Sequence, residues 1–181
     1  MTSRIISATD SSPLLDVTKA PVMISSVNPP SKERAVVYFI ASWFEKRGGY
    51  QISNVEVGRD QQNVMITKEN SLGRSISVDG HMDVIPAEDG WLVNAFGGQM
   101  GARMYGRGVA DMKGTLAAMV IAIDALNKVG NSLHGSITLV DEERGGILGS
   151  SSQKRYISFF EIVGEPTSSK VATTHKGNLT F

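Results

Sequence analysis

Residues 114–130 read GTLAAMVIAIDALNKVG, and residues 136–143 read SITLVDEE. The first stretch puts Leu116, Met119, Val120, Ile123 and Leu126 on one face at helical spacing, with alanine filling much of the rest, and Gly130 closes it. This predicts a helix over Gly114–Val129. The second stretch is an apolar run too short for a helix and rich in β-branched residues. It predicts a buried strand over Ser136–Val140, capped at its carboxyl end by Asp141-Glu142-Glu143. A helix feeding a buried strand is the repeating unit of an α/β protein.

The same alternation continues outward. Upstream, Ser75–Val78 is a short strand that runs at once into Asp79-Gly80-His81-Met82-Asp83-Val84 and ends at Ile85-Pro86. Gln51–Val57 alternates as a strand, Asn63–Ile66 is its neighbour, and Asn70–Gly73 is a turn. Val36, Val37, Phe39, Ile40, Trp43 and Phe44 recur at helical spacing behind Ser31 as a candidate N-cap, and Gly48-Gly49 stops that helix. Ser25–Pro30 is a turn, because Pro29-Pro30 after Asn28 cannot continue a helix. Residues 87–104 are loop-like, with Trp91 and Phe96 as anchors. Downstream, Gly145–Tyr156 should form a helix and Phe159–Val163 a strand leading into Gly164-Glu165-Pro166-Thr167. Lys170–Thr174 is expected as a last short strand. Residues 1–20 are polar and Ser/Thr-rich and are expected as a flexible lead, with room for a short first helix. The fold class expected is an α/β/α sandwich with a mostly parallel central sheet.

Composition narrows the function. A chain of 181 residues supports one domain with a real core. Lys plus Arg equals Asp plus Glu at 18 each, so there is no cationic excess to hold a phosphate backbone, and no nucleic-acid partner is expected. No apolar run of about 18 residues suggests a transmembrane helix. The first twenty residues lack the apolar stretch of a secretory signal, so a cytoplasmic location without membrane attachment is expected. Cysteine is absent. Any metal must therefore be held by histidine and carboxylates, which selects hard or borderline ions such as Zn, Mn, Co, Mg or Fe.

In open α/β sheets, ligands gather at the carboxyl ends of strands. Three clusters sit there: His81/Asp83, Glu142/Glu143 and Glu165. His81-x-Asp83 reads either as a metal-binding imidazole with an acid behind it or as two polar loop residues. Asp111, in Gly106-Arg-Gly-Val-Ala-Asp-Met-Lys-Gly114, is either a metal bridge or the N-cap of the following helix. Asp141-Glu142-Glu143 is either a solvated turn or three carboxylates whose mutual repulsion a bound cation relieves. Glu165-Pro166 is either a fourth carboxylate site or a simple turn.

Taken together, HxD, GRGxxDxKG, DEE and GEPT, in this order and each at a strand or helix end, resemble the zinc-dependent aminoacylase, carboxypeptidase and deacylase family. Val163-Gly-Glu-Pro-Thr167 followed by His175-Lys-Gly177 is most similar to its acetylornithine deacetylase and succinyl-diaminopimelate desuccinylase members. The resemblance runs from about Pro21 to the last residue. It implies a catalytic zinc-binding domain over 21–175, with 176–181 as the start of a lid or dimerisation domain. It implies that His81 and Glu165 bind a first zinc, Glu143 a second, and that Asp111 bridges them. Asp83 would hold the His81 ring from behind, and Glu142 would be the general base. It also implies a cis peptide between Asp111 and Met112. The activity implied is hydrolysis of the amide bond of an N-acyl amino acid in amino-acid biosynthesis, with zinc, or cobalt in its place, as cofactor. The alternatives are a dipeptidase or carboxypeptidase of the same family, or a non-catalytic metal-binding remnant. An unrelated α/β binding module for Mg or Ca is the reading from another class.

The sequence departs from the family pattern in two places. The family's second zinc takes a further histidine late in the chain, and neither His134 nor His175 stands at a matching position. Full-length members are much longer, so this chain is expected to be a partial copy, truncated within the catalytic domain. It is not expected to form the homodimer of complete members or to be fully active alone. The smaller departure is Asn94-Ala95-Phe96, where the family usually has proline before phenylalanine; this should affect loop stiffness only.

Overall fold

The computed structural model describes residues 2–29, 32–58, 61–129, 134–142, 158–168 and 170–173. The elements are α1 (Thr2–Ala8), α2 (Leu14–Met23), α3 (Arg34–Glu45), β1 (Gln51–Gly58), β2 (Gln61–Ser71) and β3 (Ser75–His81). Then come a hairpin of β4 (Gly98–Met100) and β5 (Arg103–Tyr105), a kinked turn (Val109–Lys113), α4 (Gly114–Val129), β6 (Gly135–Glu142) and β7 (Phe160–Val163).

The main sheet has the order β1-β2-β6-β3-β7. β1 with β2 and β2 with β6 pair antiparallel, whereas β3 pairs parallel with both β6 and β7. Four strands therefore run one way and β2 runs against them, which is the mostly parallel α/β sheet expected. Ile66, Leu139 and Val78 are register neighbours across β2, β6 and β3. With Val64 they share one face and meet Val17 of α2, Val36, Val37, Ile40 and Phe44 of α3, and Leu116, Val120 and Ile123 of α4 in a single core. Thr67, Thr138 and Ser77 form the adjacent row on the other face and are buried. Thr67 and Thr138 are hydrogen-bonded there at 3.0 Å, a cross-strand pair of the kind that stabilises sheets.

Helix α4 occupies the residues read from the sequence. α3 ends where Gly48 (φ 68°) and Gly49 (φ 79°) take the left-handed conformations that favour glycine. Its first residue is Arg34, with Glu33 in the cap position and no side-chain capping bond; Ser31, the expected cap, lies outside the described residues. β2 extends well past Asn63–Ile66, through the expected turn at Asn70 and on to Ser71. Pairing with β1 ends at Thr67, and pairing with β6 alone carries Lys68, Glu69 and Ser71 as strand although their side chains are polar. Residues 87–104, expected as loop, contain β4 and most of β5.

Three further differences matter. Residues 1–20, read as a flexible lead, hold α1 and most of α2, and Val17, Thr18, Pro21 and Val22 of α2 are buried. Their helical spacing is diluted when the first twenty residues are averaged. Residues 170–173 are not a strand: Lys170 N–H closes a turn onto the Thr167 carbonyl, and Val171 is 93% exposed. In place of proline, Asn94 stiffens its loop by accepting the Phe96 N–H on its side-chain oxygen at 2.9 Å. The helix expected over Gly145–Tyr156 lies outside the described residues. Among the described residues, no helix is long and apolar enough to cross a membrane.

Candidate metal centre

His81 is the last residue of β3, and the parallel register sets it beside Glu142, the last residue of β6. Glu165 comes off the adjoining strand β7, where the Gly164 N–H still bonds the Asp79 carbonyl of β3 at 2.9 Å. Asp111 sits in the kinked turn that enters α4, where the helical path breaks at Asp111 (φ −136°, ψ 91°) and Met112 (φ −136°, ψ 26°). The Asp111–Met112 peptide is cis, as the resemblance implied. Two strand ends and a helix entrance thus converge on one point at the carboxyl edge of the sheet, where α/β proteins place their ligands.

His81 Nε2 lies 3.1 Å from Asp111 Oδ1 and 3.9 Å from Glu165 Oε1. Ligand atoms of His81, Asp111 and Glu165 all fall within 4.8 Å of one another. On the far side of the ring, His81 Nδ1 lies 3.0 Å from Asp83 Oδ1 and 3.2 Å from the Asp83 carbonyl oxygen. Asp83 is held in turn by the Asn28 side-chain amide, which donates to Oδ2 at 3.4 Å. With Nδ1 engaged by Asp83, Nε2 is the nitrogen left facing the two carboxylates.

The electrostatics follow from this packing. Burial works to lower the His81 pKa. The hydrogen bond and charge of Asp83, the charge of Glu165 and the hydrogen bond with Asp111 outweigh it and push the imidazole up to about 9. Burial works to raise the Asp83 pKa, but the hydrogen bond and charge of His81, with the Asn28 bond, hold it below the ordinary carboxylate range. The donor set of one imidazole nitrogen and two carboxylates fits a divalent cation of zinc type, which would take the place of the imidazolium proton between the two acids.

The profile of peptidase family M20/M25/M40 matches residues 78–176, a span that contains His81, Asp83, Asp111, Glu142, Glu143 and Glu165. The chain belongs to this family. Among curated relatives, it is 31% identical over 142 residues to succinyl-diaminopimelate desuccinylase of Rhodospirillum centenum, covering 69% of this chain and 37% of that one. It is 28% identical over 164 residues to acetylornithine deacetylase of Pasteurella multocida, covering 86% of this chain and 43% of the other. The M20 family metallo-carboxypeptidase Sso-CP2 from Sulfolobus solfataricus shares the fold at a TM-score of 0.72 and 19% identity, over 83% of this chain and 37% of that one. The chain thus spans less than half the length of these relatives.

Within the M20 chain, the structure brings His81, Asp83, Asp111 and Glu165 together. Glu142 is placed by its backbone, in register with His81, while Glu143 and His175 lie outside the described residues. His134 precedes β6 at the opposite end of the sheet, with Nδ1 3.0 Å from Ser71 Oγ. Three residues that sequence reasoning passed over support the M20 site. Ser26 Oγ donates to the Met82 carbonyl at 2.7 Å, and Val27 bridges Val84, so the Ser25–Asn28 segment clamps the His81–Val84 loop. Asn28 reaches Asp83, as above. Lys113, buried one turn-end beyond Asp111, donates from Nζ to the Pro21 and Ile24 carbonyls at 2.8 and 3.3 Å, tying the Asp111 turn to the end of α2. The quoted GRGVADMKG stretch held the lysine, but nothing in it announced a partner ninety residues upstream.

Proposed function

We propose that these residues are the metal-bearing part of a two-zinc hydrolase that cleaves the amide bond of a small N-acyl amino acid, of the desuccinylase or deacetylase type. The observation that carries the reading is the convergence of His81 Nε2 with the Asp111 and Glu165 carboxylates at the carboxyl edge of the sheet. When bound, zinc supplies Lewis acidity toward a carbonyl and makes a water nucleophilic near neutral pH. His81 and Glu165 would hold one ion and Glu143 a second, with Asp111 serving both. Asp83 keeps the His81 ring in the tautomer that presents Nε2 outward. Glu142 is the general base: it takes the proton of the attacking water and returns it to the departing amine. The curated relatives it resembles include enzymes named as a desuccinylase and a deacetylase, which favours an N-acyl amino acid over a peptide as substrate.

Metal analysis of the purified protein, joined to a hydrolysis assay, tests this. Zinc or cobalt should co-purify or titrate in and be lost with His81→Ala. Release of acetate or succinate from N-acetylornithine or N-succinyl-diaminopimelate, in the protein that carries these residues, should exceed cleavage of dipeptides and vanish with Glu142→Gln. Preferential binding of Mg or Ca, with no zinc, would sink the proposal.

A further inference from the structure

The three donors of the metal centre come from three separate segments, so their spacing depends on whatever packs between those segments. Met112 follows Asp111 directly and is fully buried. A Cβ built on Gly80, the residue before His81, would lie 2.8 Å from Met112 Cε; one built on Gly164, the residue before Glu165, would lie 2.7 Å from the same atom. Both distances are closer than real Cβ contacts, so a side chain at either glycine would force the Met112 methyl to shift. One side chain therefore succeeds one donor in the chain and bears on the backbone immediately before the other two.

We infer that Met112 is a positioning residue whose thioether methyl, seated between Gly80 and Gly164, sets the separation of His81, Asp111 and Glu165 and so the affinity and coordination geometry of the centre. The inference rests on the reading of that centre as a metal site. Methionine suits the role because it is unbranched and reaches past its own γ position into a narrow slot. A close-packed interior passes a displacement at the slot on to the strand ends instead of absorbing it. Met119 Cε comes closer still to a Cβ on Gly164, but it is not among the near neighbours of Gly80 and does not adjoin a donor.

The test compares Met112→Leu, Gly80→Ala and a remote core variant, Ile40→Ala, with the unaltered protein. Zn²⁺ and Co²⁺ affinity are read by chelator competition, and the visible spectrum of bound Co²⁺ and the thermal midpoint are recorded alongside. Met112→Leu conserves volume and should stay folded, yet bind both ions about tenfold or more weakly with a shifted Co²⁺ spectrum. Gly80→Ala, which drives a methyl against Met112 Cε, should perturb the spectrum in the same way. Ile40→Ala should lower the thermal midpoint and leave the spectrum and the affinity of the folded protein unchanged. Met112→Leu with unaltered affinity and spectrum overturns the inference, as does an equal loss of affinity in Ile40→Ala. If the unaltered protein binds neither ion, the metal reading itself fails and takes the inference with it.

Discussion

His81 Nε2 and Asp111 Oδ1 are 3.1 Å apart, although thirty positions of chain and a hairpin separate the two residues. With Glu165 3.9 Å from the same nitrogen, the imidazole is clasped by carboxylates on its open side and by Asp83 on the other. A proton or a metal ion can satisfy that arrangement, and the two compete.

Metal binding should therefore release a proton. Against the lowering effect of burial, the carboxylates of Asp83, Glu165 and Asp111 push the His81 imidazole up to about 9, from its ordinary value of 6.5. The proton-linked stabilisation from this group is complete below about 6.5 and is lost as pH rises through about 9. A cation needs the neutral ring, so zinc affinity should rise steadily from pH 6 to pH 9. Calorimetric titration in two buffers of different ionisation enthalpy should show close to one proton released per ion at neutral pH. A flat affinity profile would count against His81 as a ligand.

Asp83→Ala should weaken zinc binding by about 10- to 100-fold, because the ring loses the partner that orients it. Asp83→Asn should fall between the two. Chelator competition measures this, and wild-type affinity in Asp83→Ala would remove Asp83 from the supporting shell.

Lys113→Ala should destabilise the fold by about 1–3 kcal/mol, since it strands the Pro21 and Ile24 carbonyls that the buried ammonium serves. The urea midpoint should drop, and α2 should become more sensitive to protease. Unchanged midpoints would show that α2 is held by its apolar face alone.

Leu139, fully buried at the centre of the sheet, and Leu72, 99% exposed at the turn after β2, make a direct contrast. Leu139→Ala should cost about 2–5 kcal/mol, and Leu72→Ala should stay within about 0.5 kcal/mol. Chemical denaturation of the two variants side by side checks whether the assigned core is the working core.

Much of the fold was legible because the decisive stretches are short-range patterns. The apolar stripe of Gly114–Val129 and the run before Asp141 report their own periodicity, and Gly48-Gly49 marks a helix stop without help from elsewhere. Where reading failed, pairing or packing overrode local pattern. β2 is strand beyond Ile66 because β6 pairs with it as far as Ser71, and α2 is ordered because its stripe meets α4 and the Asp111 turn. Lys170 closes a turn back onto Thr167 in place of the expected strand.

The chemistry divides in the same way. The kinds of donor, their order along the chain and their positions at strand ends were determined by sequence, because residue identity and strand termini are local properties. Which of them meet, and at what distance, was decided only by the parallel register of β3 with β6 and β7 and by the kinked entrance to α4, which depend on contacts between segments far apart in the chain. The supporting residues Ser26, Asn28, Met112 and Lys113 belong to that second class: each acts through a partner distant in sequence, so no local pattern could mark it.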